Sequence, residues 1–244
     1  MGKDIQEFNR VEFKYWISER EKWQFFNFLK EFMVEDTHNK GEVGYNINSL
    51  YFDTLNLASY YEKYDGDNFR RKFRARFYGD KPEKIYLEIK EKRGMHVRKK
   101  RVAKTILSQG TGVDLTGIIQ ELPQEGDTFL TSLHTLNLRP TCWVSYNRVA
   151  LRGRHDPSLR ITFDHAVSGE LAEGFLFPRN RIRPVSLSGW SRPIILEIKF
   201  QWYIPTWLKN AIEDLSLMNV PITKYGMVIN RFKFQYLEER KWTL

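Results

Sequence analysis

Phe69–Phe77 reads FRRKFRARF, nine residues of which five are Arg or Lys. Read as a strand, it sends Arg70, Lys72, Arg74 and Arg76 to one face, because side chains alternate with a period of two. Phe69, Phe73, Ala75 and Phe77 fall on the other face, with Arg71 the exception. The apolar face can be buried against a core. The basic face stacks like charges along one edge of the backbone, which is unfavourable unless water or a counter-charge stands opposite.

The same alternation returns elsewhere. Residues 86–92 (YLEIKEK) put Glu88, Lys90 and Lys92 on one face and Leu87 and Ile89 on the other. Residues 193–200 (PIILEIKF) set Glu197 and Lys199 among Ile194 or Ile195, Ile198 and Phe200. Residues 10–17 (RVEFKYWI) place Glu12 and Lys14 opposite Val11, Phe13 and Tyr15. Residues 145–151 add Tyr146 and Arg148, and residues 159–163 add Arg160. A single Glu-x-Lys pair describes a solvated strand face with weak cross-strand ion pairs. Three of them within apolar strand patterns, with ten basic residues against the three glutamates on the assembled face, do not neutralise themselves. A phosphate-rich polyanion would do so, since Arg forks match phosphate oxygens and Lys acts as a point charge. Glutamates in such a site suit Mg²⁺ or Mn²⁺, which take oxygen donors and bridge protein to phosphates. Neither a Walker loop nor a Gly-rich dinucleotide motif is present, so side chains must hold the phosphates.

Charge distribution points the same way. The net charge is +9, and residues 69–104 alone hold fifteen basic against four acidic residues, leaving 24 against 26 in the rest of the chain. Hydrophobic content of 41% and aromatic content of 15% exclude a disordered chain. One cysteine, Cys142, excludes an internal disulfide framework and fits a reducing compartment. With no apolar run of signal-peptide or membrane-spanning type, a cytoplasmic protein without membrane insertion is expected. The five histidines show no metal-ligand spacing.

Coarse patterning predicts strands over about 8–17, 45–53, 69–78, 84–92, 96–105, 140–152, 158–166 and 193–201, with a weaker one over 181–186. Ser18 with Glu21 predicts a capping box opening a helix over 19–34, with Trp23, Phe26, Leu29 (or Lys30) and Met33 on its apolar side. Residues 54–65 read as a short helix or turn and 110–138 as a helical insertion. A helix is expected after Pro205, where the stripe of Trp207, Leu208, Ala211, Ile212 and Leu215 suits packing or bracing of one barrel mouth. The pattern of 224–243 is mixed. The fold class expected is α+β: an antiparallel closed barrel of about eight strands with peripheral helices, in one domain over 1–244.

RVEFKYWI, SLYFDT at 49–54, FRARFYG at 73–79, YLEIKEKRG at 86–94, YNRVAL at 146–151, LRITFD at 159–164, LEIKF at 196–200 and TKYGMVINR at 223–231 occur in this order along nearly the whole chain. Together they resemble the VTC domain, the polyphosphate polymerase branch of the triphosphate tunnel metalloenzymes. The resemblance implies a basic tunnel in which ATP donates its γ-phosphate to a polyphosphate chain, with pyrophosphate or phosphate as primer and Mn²⁺ or Mg²⁺ as cofactor. It implies Arg74, Arg76, Lys90, Arg148, Arg160 and Lys199 as catalytic phosphate contacts, and Lys14, Tyr146 and Lys224 as further binding residues; the alternation of FRRKFRARF adds Arg70 and Lys72 to the binding residues. In HVRKKRV it favours Lys99 and Arg101, although a one-residue slip would select Arg98 and Lys100. Glu197 would hold the metal, with Glu12 and Glu88 as lesser candidates.

One departure is Arg10-x-Glu12-x-Lys14 in place of the Glu-x-Glu-x-Lys of the tunnel triphosphatases, which favours holding a long polyanion over two-metal hydrolysis. Another is the lack of an SPX-like region or membrane anchor, so any membrane association would come from a protein partner. The alternatives are a tunnel triphosphatase and a non-catalytic polyphosphate-binding module. Nucleic acid is not expected as a ligand, because the aromatics alternate onto the face opposite the charges.

Overall fold

A computed structural model describes residues 4–239, apart from 9, 81, 95, 107–111, 123, 125–126, 179–182 and 185–193. The first half runs β1 (Asp4–Phe8), β2 (Arg10–Ile17), α1 (Glu19–Leu29), β3 (Met33–Glu35), β4 (Tyr45–Asp53), α2 (Ala58–Tyr64), β5 (Phe69–Tyr78), β6 (Lys84–Arg93) and β7 (His96–Thr105). The second runs β8 (Gly112–Asp114), α3 (Thr116–Ile119), α4 (Thr128–Thr135), β9 (Arg139–Gly153), β10 (Arg160–Leu171), β11 (Leu176–Pro178), β12 (Arg183–Pro184), β13 (Ile194–Gln201), α5 (Thr206–Asp214) and α6 (Lys224–Glu239).

Nine strands form one antiparallel path, β1-β7-β6-β5-β4-β9-β10-β13-β2, to which β3 and β12 add short pairings. The class is α+β as expected, but the sheet is not closed into a barrel. Its two ends, β1 and β2, are consecutive in the chain: Asp4–Phe8 pairs with β7 and Arg10–Ile17 with β13. The N-terminal segment is thus divided lengthwise between the two edges of the sheet. The sheet nevertheless curls strongly. Lys90 Nζ on β6 lies 3.2 Å from Glu12 Oε2 on β2, although five strands separate β6 from β2 along the path.

Most of the apolar core lies on the convex side. Phe13, Tyr15 and Ile17 of β2 and Ile194, Leu196 and Ile198 of β13 pack beneath α1 and α5. Phe73, Ala75 and Phe77 of β5 and Leu87 and Ile89 of β6 pack beneath α3 and α4. This fulfils the apolar half of the FRRKFRARF alternation, and it leaves the basic half pointing into the concave side. A third cluster covers one end of the concave side, where Tyr225, Val228 and Ile229 of α6 and Tyr60 of α2 meet Ile47, Tyr51, Val144 and Ile195.

Two helix expectations need correction. The Ser18/Glu21 capping box is present, but α1 stops at Leu29 and Met33 already belongs to β3. The buried side of α1 is Phe25 and Leu29, while Trp23 is 69% exposed. The Trp207 stripe of α5 packs as expected, bracing the convex face against α1 with Trp207 stacked on Phe32 at 4.2 Å, and braces no barrel mouth.

α6 approaches the sheet closely at Gly169. A Cβ there would stand 2.4 Å from Val228 Cγ2 and 2.6 Å from the Trp143 carbonyl oxygen. Gly169→Ala should therefore displace α6 and cost about 1–3 kcal/mol, as overpacking does. Urea denaturation would read this, and a loss below measurement error would show that α6 yields freely.

Candidate functional site

The concave side gathers its charges around three centres. On β5–β7 the centre is Glu88, 1% exposed in its side chain. Arg74 Nε lies 2.7 Å from it, Lys99 Nζ 2.6 Å, Arg101 Nε 3.4 Å and Arg76 Nε 3.9 Å. The β6–β7 ladder pairs Lys90 with Lys99 and Glu88 with Arg101, so Lys99 and Arg101, not Arg98 and Lys100, share the face of Glu88. Tyr51 of β4 receives a hydrogen bond from Arg74 at 3.1 Å and so fixes the guanidinium from its far side.

The second centre joins β9, β10, β13 and α6. Arg148 grips Asp164 in a two-pronged bond, Nε to Oδ1 at 2.6 Å and NH2 to Oδ2 at 2.7 Å. Lys224, the first residue of α6, lies 2.5 Å from Asp164 and 2.9 Å from Glu197. Glu197 is also approached by Lys199 at 3.1 Å, Arg148 at 3.4 Å and Lys14 at 3.6 Å. Tyr146 turns its ring to Lys224, with Nζ 4.7 Å from the centroid. Residues 219–223 place this corner: Asn219 accepts from the Lys14 amide, and Ile222 accepts from Lys14 Nζ. The third centre is Glu12, which sits between Lys14 at 3.0 Å and Lys90 at 3.2 Å and links the other two.

Electrostatics follow from burial competing with these neighbours. Burial raises the carboxyls, yet Arg74, Arg76 and Lys99 hold Glu88 well below the ordinary range, and Lys224, Lys199, Lys14 and Arg148 do the same for Glu197. Glu12 is likewise lowered, by Lys199, Lys14 and Lys90. All three are anions at neutral pH. Lys224 is penalised by burial but raised overall by Asp164 and Glu197. Lys72 has no such help. Burial, then Lys14, Lys90, Lys63 and Arg74, bring it down to about 7, and its Nζ donates to Thr223 Oγ1 at 2.8 Å. Burial also brings Lys99 to about 7, despite Glu88.

Of the expected site residues, the structure brings together Lys14, Lys72, Arg74, Arg76, Lys90, Lys99, Arg101, Tyr146, Arg148, Lys199 and Lys224, with Glu12, Glu88 and Glu197. Arg70 and Arg160 stand at opposite ends of this array. Arg70 is paired in register with Lys92, and Arg160 contacts Asp36 at 3.4 Å and Tyr45 at 3.3 Å. Asp164 and Tyr51 were not singled out from the sequence. Asp164 could have been, since it shares a face with Arg160 by alternation in LRITFD. Lys63 of α2 joins the Arg70 end, where Arg70, Lys14 and Lys92 lower its pKa after burial.

Among the described residues no group of three or more His, Cys, Asp or Glu side chains converges to hold a metal. The donor set instead fits a cation that brings most of its ligands as phosphate oxygens and water. On β13 it offers the buried, ionised carboxylate of Glu197, with Glu12 nearby across the β2–β13 ladder.

A family description for the VTC domain matches residues 9–233. The chain belongs to the VTC domain family. Comparison of this VTC domain with curated proteins returns no match. Solved structures similar to it include a candidate adenylate cyclase from Vibrio parahaemolyticus, at 13% identity and a TM-score of 0.41, with 84% of this chain and 83% of that one covered. A candidate adenylyl cyclase from Hippeastrum, described as having a dominant triphosphatase activity, has 13% identity and a TM-score of 0.48 over 92% and 96% of the two chains. A Pyrococcus horikoshii protein has 10% identity and a TM-score of 0.42 over 91% and 99%. No helix among the described residues of the VTC domain is long and apolar enough to cross a membrane.

Proposed function

We propose that this VTC domain is a polyphosphate polymerase, which moves the γ-phosphoryl group of ATP onto the end of an inorganic polyphosphate chain lying along the concave face. The observation that supports this reading is the excess of cations on the concave face, where Lys14, Lys72, Arg74, Arg76, Lys90, Lys99, Arg101, Arg148, Lys199 and Lys224 converge against Glu12, Glu88, Asp164 and Glu197. Arg forks and Lys point charges so arrayed suit a chain of phosphates. The terminal phosphate of such a chain needs no general base, because its oxygens are already ionised.

In the step, a terminal oxygen of the chain forms a bond to the γ-phosphorus. The bond from that phosphorus to the β–γ bridging oxygen breaks, and ADP leaves with the electron pair. The protein supplies positioning and charge. Arg74 and Lys99 would transfer hydrogen bonds from Glu88 to phosphate oxygens; the buried Nε atoms of Arg76 and Arg101 have no hydrogen-bond partner among the described residues and can make one. Lys14, Lys90, Lys199, Arg148 and Lys224 would do the same from Glu12, Glu197 and Asp164, while Tyr146 and Arg160 flank them. Bound Mn²⁺ or Mg²⁺, held by Glu197 with Glu12 in support, would supply Lewis-acid neutralisation of the phosphates.

Purified protein incubated with ATP, Mn²⁺ and a pyrophosphate or phosphate primer should yield long polyphosphate on a gel. Lys199→Ala and Glu197→Gln should each lower the yield at least 100-fold, the order of loss for a group that neutralises transition-state charge. Phosphate release without polymer would support a triphosphatase instead, and tight binding without turnover a polyphosphate-binding module.

A further inference from the structure

The end of the concave face away from α6 has a different chemistry from the rest. Four rings follow one another there: His38 lies 6.2 Å from Tyr45, Tyr45 6.0 Å from Tyr78, and Tyr78 5.8 Å from Tyr86, centroid to centroid. Arg101 lays its guanidinium 3.7 Å over the ring of Tyr86 and donates to the Tyr78 hydroxyl at 3.4 Å. Arg160 reaches Tyr45 at 3.3 Å. These rings are not fully buried: Tyr78 is 38% exposed, and Tyr45 and Tyr86 are half-buried, Tyr45 resting with one side on the third apolar cluster. They differ in this from Phe73 and Phe77, which the same strand buries on its convex side.

We infer that this aromatic row is a stacking platform for the base of a nucleoside triphosphate, placed so that the triphosphate runs inward past Arg101 and Arg76. Base stacking on aromatic side chains and Arg planes tolerates any base, because every base has a π-face. The opposite end offers a different surface. Arg70 stands directly across the ladder from Lys92, and among the described residues neither these two nor nearby Lys63 lies in an ion pair. Like charges so paired repel unless an anion lies over them. Donor and chain therefore enter from different ends: the nucleoside stays at the tyrosines, and the growing polymer passes Lys72, Arg70 and Lys92. The assignment rests on the polymerase reading only in taking a nucleotide as the phosphoryl donor.

Calorimetry on the full chain can test it with two probes, the β,γ-imido analogue of ATP and inorganic tripolyphosphate. Tyr78→Leu should weaken the nucleotide about tenfold relative to tripolyphosphate, the scale expected for one lost stacking contact. Tyr78→Phe, which keeps the ring, should hold the ratio. If Tyr78→Leu proves unfolded by circular dichroism, Tyr45→Leu is read against the same ratio. An unchanged ratio, or equal weakening of both probes, overturns the assignment. A changed ratio in a protein that makes no polymer keeps the nucleotide platform and removes the polymerase reading alone.

Discussion

Asp164→Ala should destabilise the domain by about 3–5 kcal/mol, the cost of removing one partner from a buried charge pair. The carboxylate is wholly buried, and it takes two hydrogen bonds from Arg148 and one close contact from Lys224. Both cations are themselves buried, at 8% exposure. Without Asp164 their nearest anion is Glu197, which already serves Lys14 and Lys199. Asp164→Asn keeps the shape and some hydrogen bonding, so it should fall between the variant and the parent. Urea denaturation at pH 7 gives the comparison. Added tripolyphosphate should raise the melting temperature of Asp164→Ala more than that of the parent, because an anion on the concave face replaces the missing charge. A loss under 1 kcal/mol would mean that Arg148 and Lys224 turn out to water.

The sheet was legible where period-two alternation was unbroken. β4 and β5 have the ends read from YNINSLYFD and FRRKFRARFY, and β6 and β7 differ from expectation by no more than a residue. The face carrying the charges was legible for the same reason, since one parity rule assigns a whole strand. What alternation does not encode is pairing between distant segments. Nothing local says that Asp4–Phe8 and Arg10–Ile17 take opposite edges of the sheet, and this is why an open sheet was read as a closed barrel. α6 was obscured by Gly226, which looks like a helix breaker beside β-branched Val228 and Ile229. Its reason is tertiary: a Cβ there would stand 2.7 Å from Thr223 Cγ2, so glycine lets Lys224 and Thr223 fold in against the site. Tyr51 was hidden differently, because in SLYFDT it reads as ordinary strand apolarity until its hydroxyl is seen to meet Arg74.

Polyphosphate affinity should fall as pH rises through 7, because Lys72 and Lys99 both lose their protons near that pH, and Lys72 shows the effect without a carboxylate beside it. Its burial and the charges that face it, Lys14 from β2, Lys90 from β6, Lys63 from α2 and Arg74 on its own strand, hold its folded pKa to about 7. Tyr225 and Thr223 complete its surroundings without adding a carboxylate. A polyanion laid beside it favours the charged form, so binding above pH 7 must take up a proton. Linkage then gives up to tenfold weaker binding per pH unit for this one lysine. Stability of the free domain runs the other way. The unfolded chain keeps the Lys72 proton to its ordinary pKa of 10.5, whereas the folded chain loses it near 7. Between these values the unfolded state holds more protons, so this lysine makes the domain more stable as pH rises from 7 towards 10. Opposite slopes for affinity and stability are a signature that a surface charge would not produce. Lys72→Met should remove its share of both slopes, leaving that of Lys99, while Lys72→Arg should lessen the affinity slope by remaining charged throughout. Titration calorimetry with tripolyphosphate in two buffers of different ionisation enthalpy would count the proton directly, and a parent affinity independent of pH from 6 to 9 would remove Lys72 from the binding surface.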